Sequence, residues 1–415
     1  MENDWKNIFL GEVADIIQGY AFKRSDFSES GIPIIKIKNI NSPNVVIDDC
    51  NYVSNDVYEK IDEKYKLQKG DVLISMTGSN MSQPNSMVGK VGVVRYKNRS
   101  LLNQRVGKLV ITDSKKVDYK FLYYLLSRRE AQYDLVSIAT GSANQVNISG
   151  KQIKSLKFSL PLIEDQKKIV KEISSLDDKI ELNNEMNKTL EQMAQAIFKS
   201  WFVDFEPFKD GEFEESELGM IPKGWKILEL SKLGNIITGK TPSKNNPEHF
   251  GNEYKFITPK DINGDIFITK SERGLSNEGY EKMRKNMHYK YSIGVSCIGS
   301  DLGEVYLNDD DGFTNQQINT LTLNNYKYYP YAYICLKNMK DEFKNMASGS
   351  AVPIINKTTF SKIKIVVPSE KYIEDFYNKV DSIFRKILIN INQNEELNEI
   401  RDTLLPKLIS GEIKL

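Results

Sequence analysis

The feature that most constrains this chain is that it is written nearly twice. Residues 4–24, "DWKNIFLGEVADIIQGYAFKR", align with residues 224–244, "GWKILELSKLGNIITGKTPSK", so that Trp5 falls on Trp225 and Gly19 on Gly239. Further on, "GIPIIKIKNIN" from Gly31 corresponds loosely to "EYKFITPKDING" from Glu253, and "LNQRVGKLV" from Leu102 to "TNQQINTLTL". Finally "TGSANQVNISGKQIKSLKFSLP", ending at Pro161, matches "SGSAVPIINKTTFSKIKIVVP", ending at Pro368. Four blocks in one order make an internal repeat, which obliges the fold to build one unit twice. Each copy holds short β-rich runs punctuated by Gly, Asn, Ser and Asp, the pattern of a compact α/β (α+β) domain.

The segments between the copies read differently. From Pro161 to Pro207 there is no internal proline or glycine, and Ile169, Ile173, Leu176, Ile180, Met186, Leu190, Met193, Ile197 and Trp201 recur at helical spacing. After Pro368 the pattern returns with Phe376, Val380, Ile383, Ile387, Ile391, Leu397, Ile400 and Leu404, uninterrupted until Pro406. Each copy therefore ends in a long amphipathic helix, some forty residues spanning about 60 Å. Asn183 interrupts the first seam, as a polar residue does where it fixes alignment in a coiled coil. A lone helix of that length cannot cover its apolar stripe. The expected solution is an antiparallel pair with one globular copy at each end, a dumbbell of approximate two-fold symmetry. The alternative is that each helix docks on its own domain or on another chain. The segment "LISGEIKL" is expected to pack beside the first copy near Trp5. The domain boundaries this implies are 1–160, 161–208, 209–368 and 369–415.

Composition narrows the class further. At 415 residues, with 40% hydrophobic and 27% charged residues, the chain is an ordinary globular one long enough for more than one core. Cys50, Cys297 and Cys335 are far apart in sequence, which gives neither a disulfide framework nor a zinc knuckle. The N-terminal residues carry no signal pattern and no run is long enough to span a bilayer, so a cytoplasmic location and no membrane partner are expected. A formal net charge of +1 neither supports nor excludes nucleic-acid binding; only local charge could do so. Basic residues gather in the first third, while "NDDDG" from Asn308 is an acidic knot in the second half.

Residues 160–208, "LPLIEDQKKIVKEISSLDDKIELNNEMNKTLEQMAQAIFKSWFVDFEPF", with "ELGMIPKGW" from Glu217 and "RDTLLPKLISGEI" from Arg401, resemble the spacer regions of specificity subunits of type I restriction-modification systems. The resemblance covers the chain in order. It implies two target-recognition domains, each reading one half of a split double-stranded DNA site. It also implies that the spacers bind two methyltransferase subunits, with restriction motor subunits joining through the complex. Because the two copies differ, the implied target is asymmetric.

A catalytic assignment finds little material. The nearest approaches to an adenine-methyltransferase loop, "NPEHF" from Asn246 and "DFEPF" from Asp204, lack the second proline or a preceding strand-linked glycine motif. There is no Walker-type phosphate loop, and only His249 and His288 are available for a metal site or triad. The chain is read as non-catalytic and without a cofactor. A fused methyltransferase or nuclease, and a coiled-coil scaffold that binds no DNA, are the competing readings.

DNA contacts want Lys and Arg for phosphates, and Arg, Asn, Gln or Ser for base edges. The candidates in the first copy are Lys23, Arg24, Lys36, Lys38, Asn39, Thr77, Ser79, Asn80, Gln83, Asn103, Gln104, Arg105, Thr140, Ser142 and Asn144. Matched positions in the second are Lys240, Thr241, Lys244, Lys260, Asn263, Ser300, Asn315, Gln316, Ser348 and Ser350. Each alone could be a turn residue or a solvated charge; recurrence at matched places is what lifts the set. Gly78, Gly141, Gly299 and Gly349 beside them read first as turn formers. Trp201, Phe202 and Phe205 crowd the end of the first helix, either as anchors for a methyltransferase subunit or as core against the second domain.

Overall fold

The computed structural model describes residues 5–80, 88–142, 145–299, 301–347 and 353–415. It is a mixed α/β chain of two units, one formed by residues 1–177 with 398–415 and the other by residues 178–397. No described helix is long and apolar enough to cross a membrane.

In the first unit a six-stranded sheet runs in the order Ala14–Gln18, Val106–Ile111, Val72–Ser75, Val91–Val94, Asn44–Val45, Ile40–Asn41. Beside it a five-stranded sheet places Ile32–Ile35 between Asn51–Val53 and Ser100–Leu102. Every residue of Val72–Ser75 is buried, the mark of a strand covered on both faces. The second unit repeats the order. Gly234–Thr238, Ile318–Leu323, Ile293–Ser296 and Val305–Asn308 are neighbours in one sheet, and Tyr254–Ile257 lies between Arg273–Leu275 and Gly312–Thr314 in the other. The repeat read in the sequence is therefore a repeat of topology. In each unit the strand that opens the copy pairs antiparallel with the strand that closes it: Lys6 lies opposite Leu160, and Lys226 opposite Val367.

The two long helices are Ile163–Phe202 and Glu370–Ser410, the latter running through Pro406. Within the second unit they run antiparallel, since Asn183 bonds Asn394 while Asn187 bonds Asn390, one number rising as the other falls. The polar interruption at Asn183 is a buried layer. Its amide donates to Asn394 Oδ1 at 2.8 Å and Gln393 Oε1 at 3.0 Å, and Asn394 donates to Asn184 Oδ1 at 2.8 Å. Such a layer fixes register at some cost in stability.

The helices also dock on the globular parts. Ile169, Val170 and Ile173 of the first helix and Leu405, Leu408 and Ile409 of the second are buried in one core with Leu10 and Phe121 of the first unit. Ala194, Phe198 and Phe202 join Phe376, Val380, Phe384 and Ile387 in the core of the second. The pairing and docking alternatives thus both hold. The apolar seam departs from the expected one toward the C-terminal end of each helix. Met193 and Ile400 are about half exposed, while Ala194 and Phe198, and Leu405 and Leu408, are buried instead. A straight helix drifts about 20° per heptad against a fixed seam, enough over several heptads to bring the neighbouring residue inward.

Gln166 anchors the first helix. It is fully buried, its carbonyl accepts from the Asp118 backbone N–H at 2.8 Å, and its amide donates to the carbonyls of Lys116 and Pro161. Residues 413–415 lie beside Trp5, lining a groove with Leu162, Asp165 and Ile169, and Lys168 reaches the Leu415 carbonyl at 3.5 Å.

His288 is fully buried beside Gly312, with which it exchanges two backbone hydrogen bonds. Burial pulls its pKa down to about 3. Above pH 6.5 it is neutral in both folded and unfolded chains and has no effect; below that only the unfolded chain takes the proton. Stability should therefore fall by about 1.4 kcal/mol per pH unit from 6.5 toward 3. A melting series from pH 7 to 5 checks this, with His288→Asn expected to flatten the slope over that range.

Candidate nucleic-acid interface

The four matched sequence blocks converge at one rim of each unit, joined by the same backbone hydrogen bonds. In the first unit the Asn103 N–H donates to the Ile35 carbonyl at 3.1 Å, the Gly19 N–H to Val106 at 3.0 Å, and Met76 to Arg105 at 2.9 Å. Ile148 then donates to Met76 at 2.9 Å. In the second unit Asn315 donates to Ile257 at 3.0 Å, Gly239 to Ile318 at 3.1 Å, Cys297 to Gln317 at 2.8 Å, and Ile355 to Cys297 at 2.9 Å. Gly19 and Gly239 are needed at the crossing. A Cβ there would sit 2.3 Å from the Asn103 carbonyl oxygen and 2.1 Å from that of Asn315, inside any real contact distance.

At the centre of each rim is an Asx turn, in which an Asn side chain accepts from a backbone N–H two residues on. Asn103 Oδ1 takes the Arg105 N–H at 3.3 Å, and Asn315 Oδ1 takes the Gln317 N–H at 3.0 Å. Both asparagines are buried, so they build the turn and their neighbours face outward. Gln104 and Arg105 are exposed in the first unit, Gln316 in the second.

A second matched turn carries the lysines. Asn39 is 1% exposed; its Oδ1 accepts from the Lys36 N–H at 3.0 Å, and its amide donates to the Asp48 carbonyl and the Cys50 thiol. Asp261 does the same for Thr258 in the second unit, with Oδ2 accepting its N–H at 2.7 Å. Asn39 is thus occupied in capping. Lys38 and Lys260 occupy the same place within these turns, but Lys38 is paired with Asp49 at 2.5 Å and holds that carboxyl below its usual range. Lys36 donates to Asn51 Oδ1 at 2.6 Å and lies over the Phe27 ring; burial lowers its pKa.

Lys23, Arg24, Arg105, Lys240, Lys244 and Lys260 are exposed and make no ion pair among the described residues. Ser79 is buried, Asn80 half-buried and Thr140 exposed, its hydroxyl donating to the Asn147 carbonyl at 3.4 Å. Thr77 is buried and donates to Asn147 Oδ1 at 2.7 Å. Asn263 donates to Asp265. Ser142 belongs to the strand Thr140–Ser142. Gln83, Asn144, Ser300, Ser348 and Ser350 lie outside the described residues, as does Gly349. Gly141 and Gly299 adopt φ of 143° and 92°, as turn formers do, whereas Gly78 lies in a strand without positive φ. The acidic knot is partly internal: Asp309 pairs with Lys255, and Asp311 Oδ1 accepts from the Lys290 N–H at 2.9 Å. Sequence reading passed over Gln18, whose amide donates to the Gln104 carbonyl at 2.9 Å, and Asn147. Their only signal is that both lie within matched blocks.

Of the three aromatics, Phe202 is buried in the core of the second unit, and Trp201 and Phe205 are half-buried against it. Phe205 sits at a left-handed φ of 53° where the chain leaves the helix.

The family model described as the type I restriction modification DNA specificity domain matches residues 2–192 and 222–401, once on each copy. The HindI type I restriction enzyme specificity subunit of Haemophilus influenzae is 32% identical over 99% of this chain and 100% of its own length. The MjaIX specificity subunit of Methanocaldococcus jannaschii is 28% identical over 81% of this chain and 78% of its own. Among solved structures, a type I restriction-modification S subunit from M. genitalium superposes with a TM-score of 0.57 at 19% identity, covering 98% of this chain and 96% of that one.

Proposed function

This chain belongs to the type I restriction-modification DNA specificity family, and from that premise we propose that its two units read the two unequal halves of a bipartite duplex site. In this reading the long helices seat two adenine-methyltransferase subunits, and restriction motor subunits join through them. The chain supplies recognition, not chemistry, and acts in the cytoplasm where its DNA lies. The observation that carries the reading is the rim built twice by the same hydrogen bonds with different outward side chains. Equal scaffolds with unequal faces are what two different half-sites require.

Gel shifts with bipartite and scrambled duplexes, with and without a methyltransferase partner, test it. Preferential binding of a two-part site by the complex supports the reading. Tight binding of S-adenosylmethionine by the chain alone, or no DNA dependence on sequence, overturns it. Within that assay Arg105→Ala should weaken specific binding by about 1–3 kcal/mol and relax preference at one base. A variant that binds specific and nonspecific duplexes each as tightly as the wild type does would remove Arg105 from the interface.

A further inference from the structure

We infer that the two units use one turn to read different bases: in the second unit Gln316, positioned by Thr241, recognises adenine, while the same turn in the first unit presents Arg105 to guanine. The inference rests on the functional reading above and adds the base class and the residues that select it.

The turns are alike in backbone and differ in what they leave free. In the second unit Gln317, which matches Arg105, is folded back, its Oε1 accepting from Asn315 Nδ2 at 2.9 Å. Gln316 is therefore the exposed amide of the turn. Its Oε1 accepts from the Thr241 hydroxyl at 2.6 Å. That bond uses one lone pair of the carbonyl and pins the amide plane. It leaves the second lone pair and both Nε2 hydrogens. Adenine offers an N6 donor beside an N7 acceptor in the major groove, the complement of a pinned glutamine amide. In the first unit Ala21 stands where Thr241 stands, so Gln104 has no such brace. Arginine cannot accept a bond from Asn103, and Arg105 projects with its guanidinium unpaired among the described residues. A bidentate guanidinium fits the O6 and N7 acceptors of guanine. Thr241 touches no base here; it is a positioning residue that acts through Gln316.

The test is a methylation map of cells carrying the complete system with wild-type, Gln316→Ala, Thr241→Val or Thr241→Ser chains. Gln316→Ala and Thr241→Val should each make one adenine-containing pair in one half-site degenerate. The roughly 5- to 150-fold preference that a bidentate pair confers should collapse toward parity there, with the other half-site unchanged. Thr241→Ser keeps the hydroxyl and should keep the wild-type motif, which a merely steric role for Thr241 does not predict. Unchanged maps in both loss variants, or degeneracy at a pair that is not A·T, overturn the inference. So does complete loss of modification in both, because the turn then holds the fold and not a base. A wild-type map without any two-part motif would instead sink the functional reading itself.

Discussion

Replacing Asp177 by alanine is expected to destabilise the first unit by about 3 kcal/mol, the lower end for breaking a buried ion pair. Asp177 is 6% exposed on the first long helix. Its Oδ2 accepts from the Tyr124 hydroxyl at 2.7 Å, and its Oδ1 from Arg401 Nη1 at 3.0 Å. Burial, then the Asp177 charge, keep the Tyr124 hydroxyl protonated well above its usual range. Alanine would strand both donors. Arg401 retains Asp402 at 2.8 Å, which is why the lower end applies. In a unit of this size the loss corresponds to roughly 6–12 °C in melting temperature. Asp177→Asn keeps an acceptor for Tyr124 and should fall in between. A first transition that does not move in Asp177→Ala would show that this network contributes nothing. The second unit has its own Tyr, Asp and Arg group, in which Tyr329 and Arg385 both donate to Asp381. There the arginine lies one turn along the same helix, so the Asp177 prediction does not carry over to it.

Trp225→Ala should cost the second unit about 3–5 kcal/mol, the range for deleting a large buried aromatic. Trp225 is 5% exposed, with the rings of Phe202, Phe205, Phe208 and Tyr372 centred 5.0–6.3 Å away, those of Phe205 and Phe208 edge to face and the other two tilted. Those rings come from the end of the first long helix, the turn after it and the start of the second. The cavity would therefore open where three segments meet, leaving little chance of collapse. Trp225→Phe should recover a substantial part. Calorimetry reads the outcome as an early second-unit transition, with the first-unit transition fixed. Trp201 borders the same cluster, 6.2 Å from the Phe376 ring and under Lys379 Nζ. Its removal should therefore show first in stability, and any effect on partner binding must be measured well below the new melting point.

The repeat was legible because tight turns and buried strands demand particular residues. Gly19 and Gly239 recur for a steric reason that any sequence comparison detects. The helices were legible from periodicity, but their buried faces were not legible toward the C-terminal ends. Over forty residues the drift between 3.5 and 3.6 residues per turn exchanges Met193 for Ala194 and Leu404 for Leu405, and a fixed seam does not follow it. At the rim, residue type alone could not separate builders from readers. Asn39, Asn103 and Asn315 have the same composition signal as Gln104 or Gln316. Only the geometry shows that the first group spends its side chains on backbone N–H groups. Likewise nothing in "NQQ" says which glutamine folds back.

The docking of Leu405, Leu408 and Ile409 into the first unit has a consequence for how the protein is made. Residues from Leu10 onward leave the ribosome early, yet part of the surface that covers them is translated more than two hundred codons after Asp177. At 5–20 residues per second the wait is on the order of 10–50 s. The second unit, contiguous along the chain, has no such interval. The nascent first unit must therefore hold an uncovered apolar face while its neighbour is synthesised and folds. This makes the earlier-translated half the one more exposed to aggregation and to chaperone capture during synthesis.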